Sequence, residues 1–135
     1  GYRSVAKNLE LTADNAEDIA TTVVNSEDHL IEVNDTAMRR IRDFTDQVDD
    51  ITQIAVQSVV ERNYDKTVAA RSLFKKIRNR ETEILSDLPD MPNAKLLQIR
   101  EVLVSLQHTA EYAMRNAEIA ANLALNKQSS HVSIE

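Results

Sequence analysis

An all-α fold, an antiparallel up-down bundle of four long helices, is what this sequence predicts, and three observations predict it. Among 135 residues there are one Gly, two Pro and 4% aromatic residues. That leaves little of the turn chemistry that hairpins need, while the abundant Ala, Leu, Glu, Arg, Lys and Gln favour helix. Apolar residues also recur at steps of three and four over long stretches, which is the period of one helix face. Finally, the pattern is interrupted at only three places, near Asn25, Asn63 and the pair Pro89 and Pro92. Connections so short favour antiparallel neighbours.

The first helix is expected over about 3–25. Ala6, Leu9, Ala13, Ala16 and Ala20 fall on one side of it, and small side chains there permit close helix packing. Glu10, Asp14 and Asp18 follow at i, i+4 and i+8, so three carboxylates stack beside that seam. Asn25 breaks the pattern and Ser26 is a good N-cap, with Glu27 and Asp28 in the first turn where negative charge complements the helix dipole.

The second helix is expected over 27–62, with Leu30, Val33, Ala37, Ile41, Phe44, Val48, Ile51, Ala55 and Val59 inward. At 1.5 Å per residue it spans roughly 54 Å, longer than most helices of globular domains. On its outer side Arg39 with Asp43 and Arg42 with Asp46 stand four apart, pairs that contribute only ~0.2–0.5 kcal/mol each. Asp65 as N-cap opens a third helix over 65–87, with Val68 or Ala69, Ser72, Leu73, Ile77 and Ile84 inward. Pro89 and Pro92 end it, since proline lacks an N–H and disfavours helical geometry in the residue before it. The fourth helix runs over 93–127 with Leu96, Ile99, Leu103, Leu106, Ala110, Ala113, Ala117 and Ala120 inward. Residues 128–135 read as a polar, disordered tail. Residues 1–127 therefore constitute one domain, long enough to bury about two thirds of the surface its unfolded chain exposes.

Composition also excludes function classes. The chain has no Cys, hence no disulfide, thiolate metal site or Cys nucleophile, which suits a reducing cytoplasm. No apolar run reaches the roughly 18–20 residues of a spanning helix. Membrane insertion is not expected, and a cytoplasmic location is. A net charge of −6 from 22 acidic and 16 basic residues argues against direct contact with a nucleic-acid backbone. The basic cluster Arg71, Lys75, Lys76, Arg78 and Arg80 reads as a solvated helix face. There is no Gly-rich phosphate loop, Gly-x-Ser-x-Gly or His-Glu-x-x-His, so a non-enzymatic protein is expected. None of His29, His108 and His131 completes a Glu-x-x-His, which removes a ferritin-like di-metal site. Tyr112 falls at the edge of the fourth helix's seam, where its hydroxyl can reach solvent or a partner.

The two ends of the chain share a pattern. Residues 9–20, LELTADNAEDIA, align without gaps on residues 106–117, LQHTAEYAMRNA. Leu9 meets Leu106, Thr12 meets Thr109, and Ala13, Ala16 and Ala20 meet Ala110, Ala113 and Ala117. Glu10 meets Gln107 and Asp14 meets Glu111. A repeat of this kind predicts one supersecondary unit used twice, with helices two to four as one complete copy and helix one as the last member of another.

The string Leu9-Glu10-x-Thr12-Ala13-Asp14-x-Ala16-x-Asp18-Ile19-Ala20 resembles the closing helix of a PhoU repeat. Leu11 and Asp18 stand where that family usually has Arg and Asn. The second copy, Thr109-Ala110-Glu111-Tyr112-Ala113 followed by Asn116-Ala117-Glu118, is similar to the variant of archaeal-type PhoU-like regulators. The resemblance covers about 5–126 and implies the last helix of a first repeat followed by all of a second. It implies a non-enzymatic regulator of phosphate uptake and phosphate signalling that acts by binding a transporter or signalling protein. In archaeal-type relatives a small DNA-binding domain precedes the repeats, so a place within a transcriptional regulator is implied too. The family's metal sites match Glu10 and Asp14, with Glu111 and then Glu118 as carboxylates from a second helix. Oxygen ligands of this kind suit a divalent or ferric ion. A carboxylate-bundle metal-binding protein and a signalling four-helix or coiled-coil module are the alternatives. Because helix one lacks its own repeat, its uncovered apolar side predicts a homodimer.

Overall fold

The computed structural model describes residue 5, residues 7–12, 14 and 18, and residues 35–134. Every regular element among them is a helix. Helix α1 spans Asp35–Glu61, α2 Tyr64–Ile77, α3 Arg80–Ser86 and α4 Asn93–Ile134. Ahead of them the described residues near the N-terminus are helical as well. The expected positions Ala6, Ala13, Ala16, Ala20, Leu30 and Val33, together with the Ser26 cap and the start of helix two at 27, lie outside the described residues.

Helix α1 packs as its spacing requires. Ala37, Ile41, Phe44, Val48, Ile51, Ala55 and Val59 are all buried. It ends at Arg62, whose φ of 51° is left-handed, and the Asn63 N–H reaches back to the Ser58 carbonyl at 3.2 Å. That is the bond pattern of a left-handed helix stop, usually built on Gly. Asn63 then caps the next helix, its side-chain oxygen accepting from the Asp65 N–H at 3.0 Å. The cap is thus Asn63 and not Asp65, which sits in the first turn of α2, where its charge faces the positive end of the helix dipole.

The expected third helix is two helices. Arg78 closes α2, its N–H on the Phe74 carbonyl at 2.9 Å, and Asn79 precedes α3. Lys75 and Lys76 occupy the last turn of α2, and Glu81 and Glu83 the first turn of α3. Charges so placed favour a stop and a fresh start over one continuous rod, and Asn79 has weak helix propensity. The inward face of α2 also differs from expectation. Ile77 and Ile84 are buried and Leu73 packs on the core as expected, but Thr67 and Ala70 are buried where Val68, Ala69 and Ser72 are exposed. With the helix beginning at Tyr64, the row that meets α1 is set by Thr67, one residue earlier than the apolar pattern suggests.

Pro92 opens α4 by offering its carbonyl to the N–H groups of Lys95 and Leu96, at 3.0 and 3.1 Å. Ile99, Leu103, Leu106, Ala110, Ala113, Ala117 and Ala120 are buried as the spacing predicts, but Leu96 is exposed. Residues 128–134 continue this helix instead of forming a tail. They contain no Gly or Pro, and extending an existing helix costs far less than nucleating one.

Arg40, near the start of α1, pairs with Asp87 after α3, and the far end of α1 meets the start of α2 and the second half of α4 around Ser58, Thr67, Ala120 and Ala121. Helices α2 and α3 therefore return along α1, and α4 runs back beside both. One core joins all of them, and Leu9 lies fully buried within it.

Candidate functional site

The acidic row predicted on the first helix exists as an exposed edge. Glu10, Asp14 and Asp18 are helical and exposed. Glu10 and Asp14 line one groove with Asp49, Thr52, Gln53, Val56 and Gln57 of α1. On its floor Thr52 turns its hydroxyl back onto the Val48 carbonyl at 2.8 Å, and Gln53 donates to an Asp49 oxygen at 3.1 Å.

Glu111 is elsewhere. It lines a second groove along α4, with Thr12, Tyr112 and Arg115. The separation follows from helix geometry, because Thr12 is two residues from both Glu10 and Asp14 and so points roughly 200° away from each. The carboxylates face α1 while Thr12 faces α4. Glu10 and Asp14 are thus brought together with each other and with Asp49, but not with Glu111. Among the described residues no group of three or more His, Cys, Asp and Glu is placed to hold a metal ion.

Glu118 has a different occupation. Arg71 grips it with two nitrogens, Nε on one carboxylate oxygen and Nη2 on the other at 2.6 Å, and donates from Nη1 to the Tyr64 hydroxyl at 3.0 Å. The same guanidinium lies 5.4 Å from the Tyr64 ring centre, within range of a cation–π contact. The hydrogen bonds from Arg71 hold the Glu118 carboxyl below the usual range against the opposing pull of partial burial, and they raise Arg71 in turn. Arg71 is accordingly a clamp between α2 and α4, not part of a free basic face, and Arg80 donates to Glu83 at 3.2 Å. Lys75, Lys76 and Arg78 remain exposed. Sequence spacing gives no sign of the clamp, since Arg71 and Glu118 lie on different helices.

The repeat equivalence is informative where it fails. Gln107, the counterpart of exposed Glu10, is buried, and its amide oxygen has no hydrogen-bond partner among the described residues. An ionised carboxylate there would be far more costly than a neutral amide. His108 is exposed, and Tyr112 is half-buried at the edge of the seam.

No protein-family model, curated protein or solved structure matches this chain. No helix among the described residues is long and apolar enough to cross a membrane.

Proposed function

We infer that this chain is a PhoU-like helical module that regulates phosphate uptake without catalysing a reaction. It completes an antiparallel four-helix bundle with its first helix and acts by binding a cytoplasmic transporter component or signalling protein. One observation carries the reading. Thr12 and Thr109, equivalent positions of the two matching strings, line the same groove, as expected of paired closing helices from two copies of one repeat. The acidic surface agrees with a protein partner over a nucleic acid, so any promoter contact belongs to another domain of the parent protein. The absence of a Cys, a Gly-rich loop and a nucleophile motif from the sequence leaves binding as the activity.

Deleting the parent gene tests the reading directly. In excess phosphate, transcripts of the phosphate-transport genes are expected to rise in the deletion strain and return to the parental level on complementation. Unchanged transcripts would remove the phosphate assignment.

A further inference from the structure

The outward face of α4 carries a stripe that the bundle covers only in part, Tyr112 packing against the core and Thr12 lining the same groove. Leu97 is 58% exposed and Ile119 50% exposed. Between them Val104 and Tyr112 are half-buried, and Glu101, His108 and Arg115 are exposed. Apart from Ile119, these residues line a single open groove. Their steps of three and four place all seven on one stripe of the helix, about 33 Å from end to end.

About His108 the apolar positions of the stripe are symmetric and its charged positions are opposite in sign. Counting outward from His108, Val104 and Tyr112 lie four residues away, Glu101 and Arg115 seven, and Leu97 and Ile119 eleven. Apolar mirrors apolar, and acid mirrors base. Neither Glu101 nor Arg115 forms an ion pair or hydrogen bond among the described residues.

We propose that this stripe is a homodimer interface in which α4 packs antiparallel on α4 of a second copy, across a two-fold axis at His108. That arrangement sets Leu97 level with Ile119 of the second copy, Val104 with Tyr112, and Glu101 with Arg115, each twice over. It is the self-complementarity an isologous contact requires. Parallel pairing sets Glu101 on Glu101 and Arg115 on Arg115, and like charges across an interface are strongly disfavoured. The mirror of acid and base about one residue is what identifies the occupant as a second copy and not an unrelated helix. This inference does not depend on the phosphate reading.

Sedimentation of the full chain over about 1–100 μM, where a modest interface dissociates, should show a reversible monomer–dimer equilibrium. Glu101→Arg and Arg115→Glu each create two like-charge contacts and should weaken the dimer by at least about tenfold, while the double reversal restores opposite charges and returns it to about the parental affinity. The chain has no Cys, so His108→Cys places one thiol per copy at the axis and should cross-link under mild oxidation. Leu97→Cys alone should not, but mixed with Ile119→Cys it should form a linked heterodimer. A monomer at the top of the range, a dimer indifferent to both single reversals, or efficient cross-linking by Leu97→Cys alone would overturn the proposal. The cysteine series keeps the test decisive if a charge reversal lowers helicity.

Discussion

Asn63 serves two helices at once. Its N–H closes the end of α1 and its side-chain oxygen caps α2, so the turn needs no further residue. Just inside that turn Ser58 and Thr67 are buried and share a hydrogen bond of 2.5 Å between their hydroxyls. Each satisfies the other where both side chains are buried. Ser58→Ala or Thr67→Val alone strands the partner hydroxyl and should cost about 1–3 kcal/mol, whereas the double variant should cost less than the sum. A urea-denaturation double-mutant cycle measures the difference. Strict additivity would mean that the two hydroxyls contribute independently. The break near Asn63 is legible in the sequence but the hydroxyl pair is not, because Ser and Thr at helix positions read as surface until the crossing of α1 and α2 is known.

At the scale of elements, α2 is tied to α4 by the Arg71–Glu118 clamp as well as by apolar packing. Both side chains remain about a third exposed, so solvent screens the pair and its worth is about 0.5–1 kcal/mol. The sign with pH follows from the depressed Glu118 carboxyl. Its contribution is complete above the unfolded carboxyl's range, near pH 4.3, and is lost as pH falls through the lower folded value. The stability gap between the parent chain and Glu118→Gln should therefore be present at pH 7 and close below about pH 4. Chemical denaturation across that range checks it, and a gap that widens in acid would assign Glu118 another role. The same scale shows why this part of the chain forms two helices and not one. Its apolar residues are continuous enough for one rod, but Lys75, Lys76, Glu81 and Glu83 mark two dipole ends around Asn79.

Across the whole molecule, the N-terminal helical residues are docked into the bundle and not merely attached to it. Leu9 is fully buried in the common core, with Glu10 and Asp14 facing α1 and Thr12 facing α4. Leu9→Ala should lower the unfolding free energy by about 2–5 kcal/mol while the helical circular dichroism of the folded state stays close to the parent's. A loss below about 1 kcal/mol would be too small for a fully buried leucine and would show that this helix is not part of the cooperative unit.

What the chain's order of residues settled alone was the all-helical class, the buried faces of α1 and most of α4, and the stop at Pro89 and Pro92. Those depend on the 3.6-residue period and on proline's missing donor, both local properties. Tertiary structure decided which side each remaining group faces. It sent Glu10 and Asp14 to a different groove from Glu111, gave Glu118 to Arg71, buried Thr67 and Gln107, and left the stripe around His108 only partly covered. Such outcomes depend on how neighbouring helices are rotated about their axes, and a one-residue change of phase turns a side chain by about 100°, which no spacing within a single helix can specify.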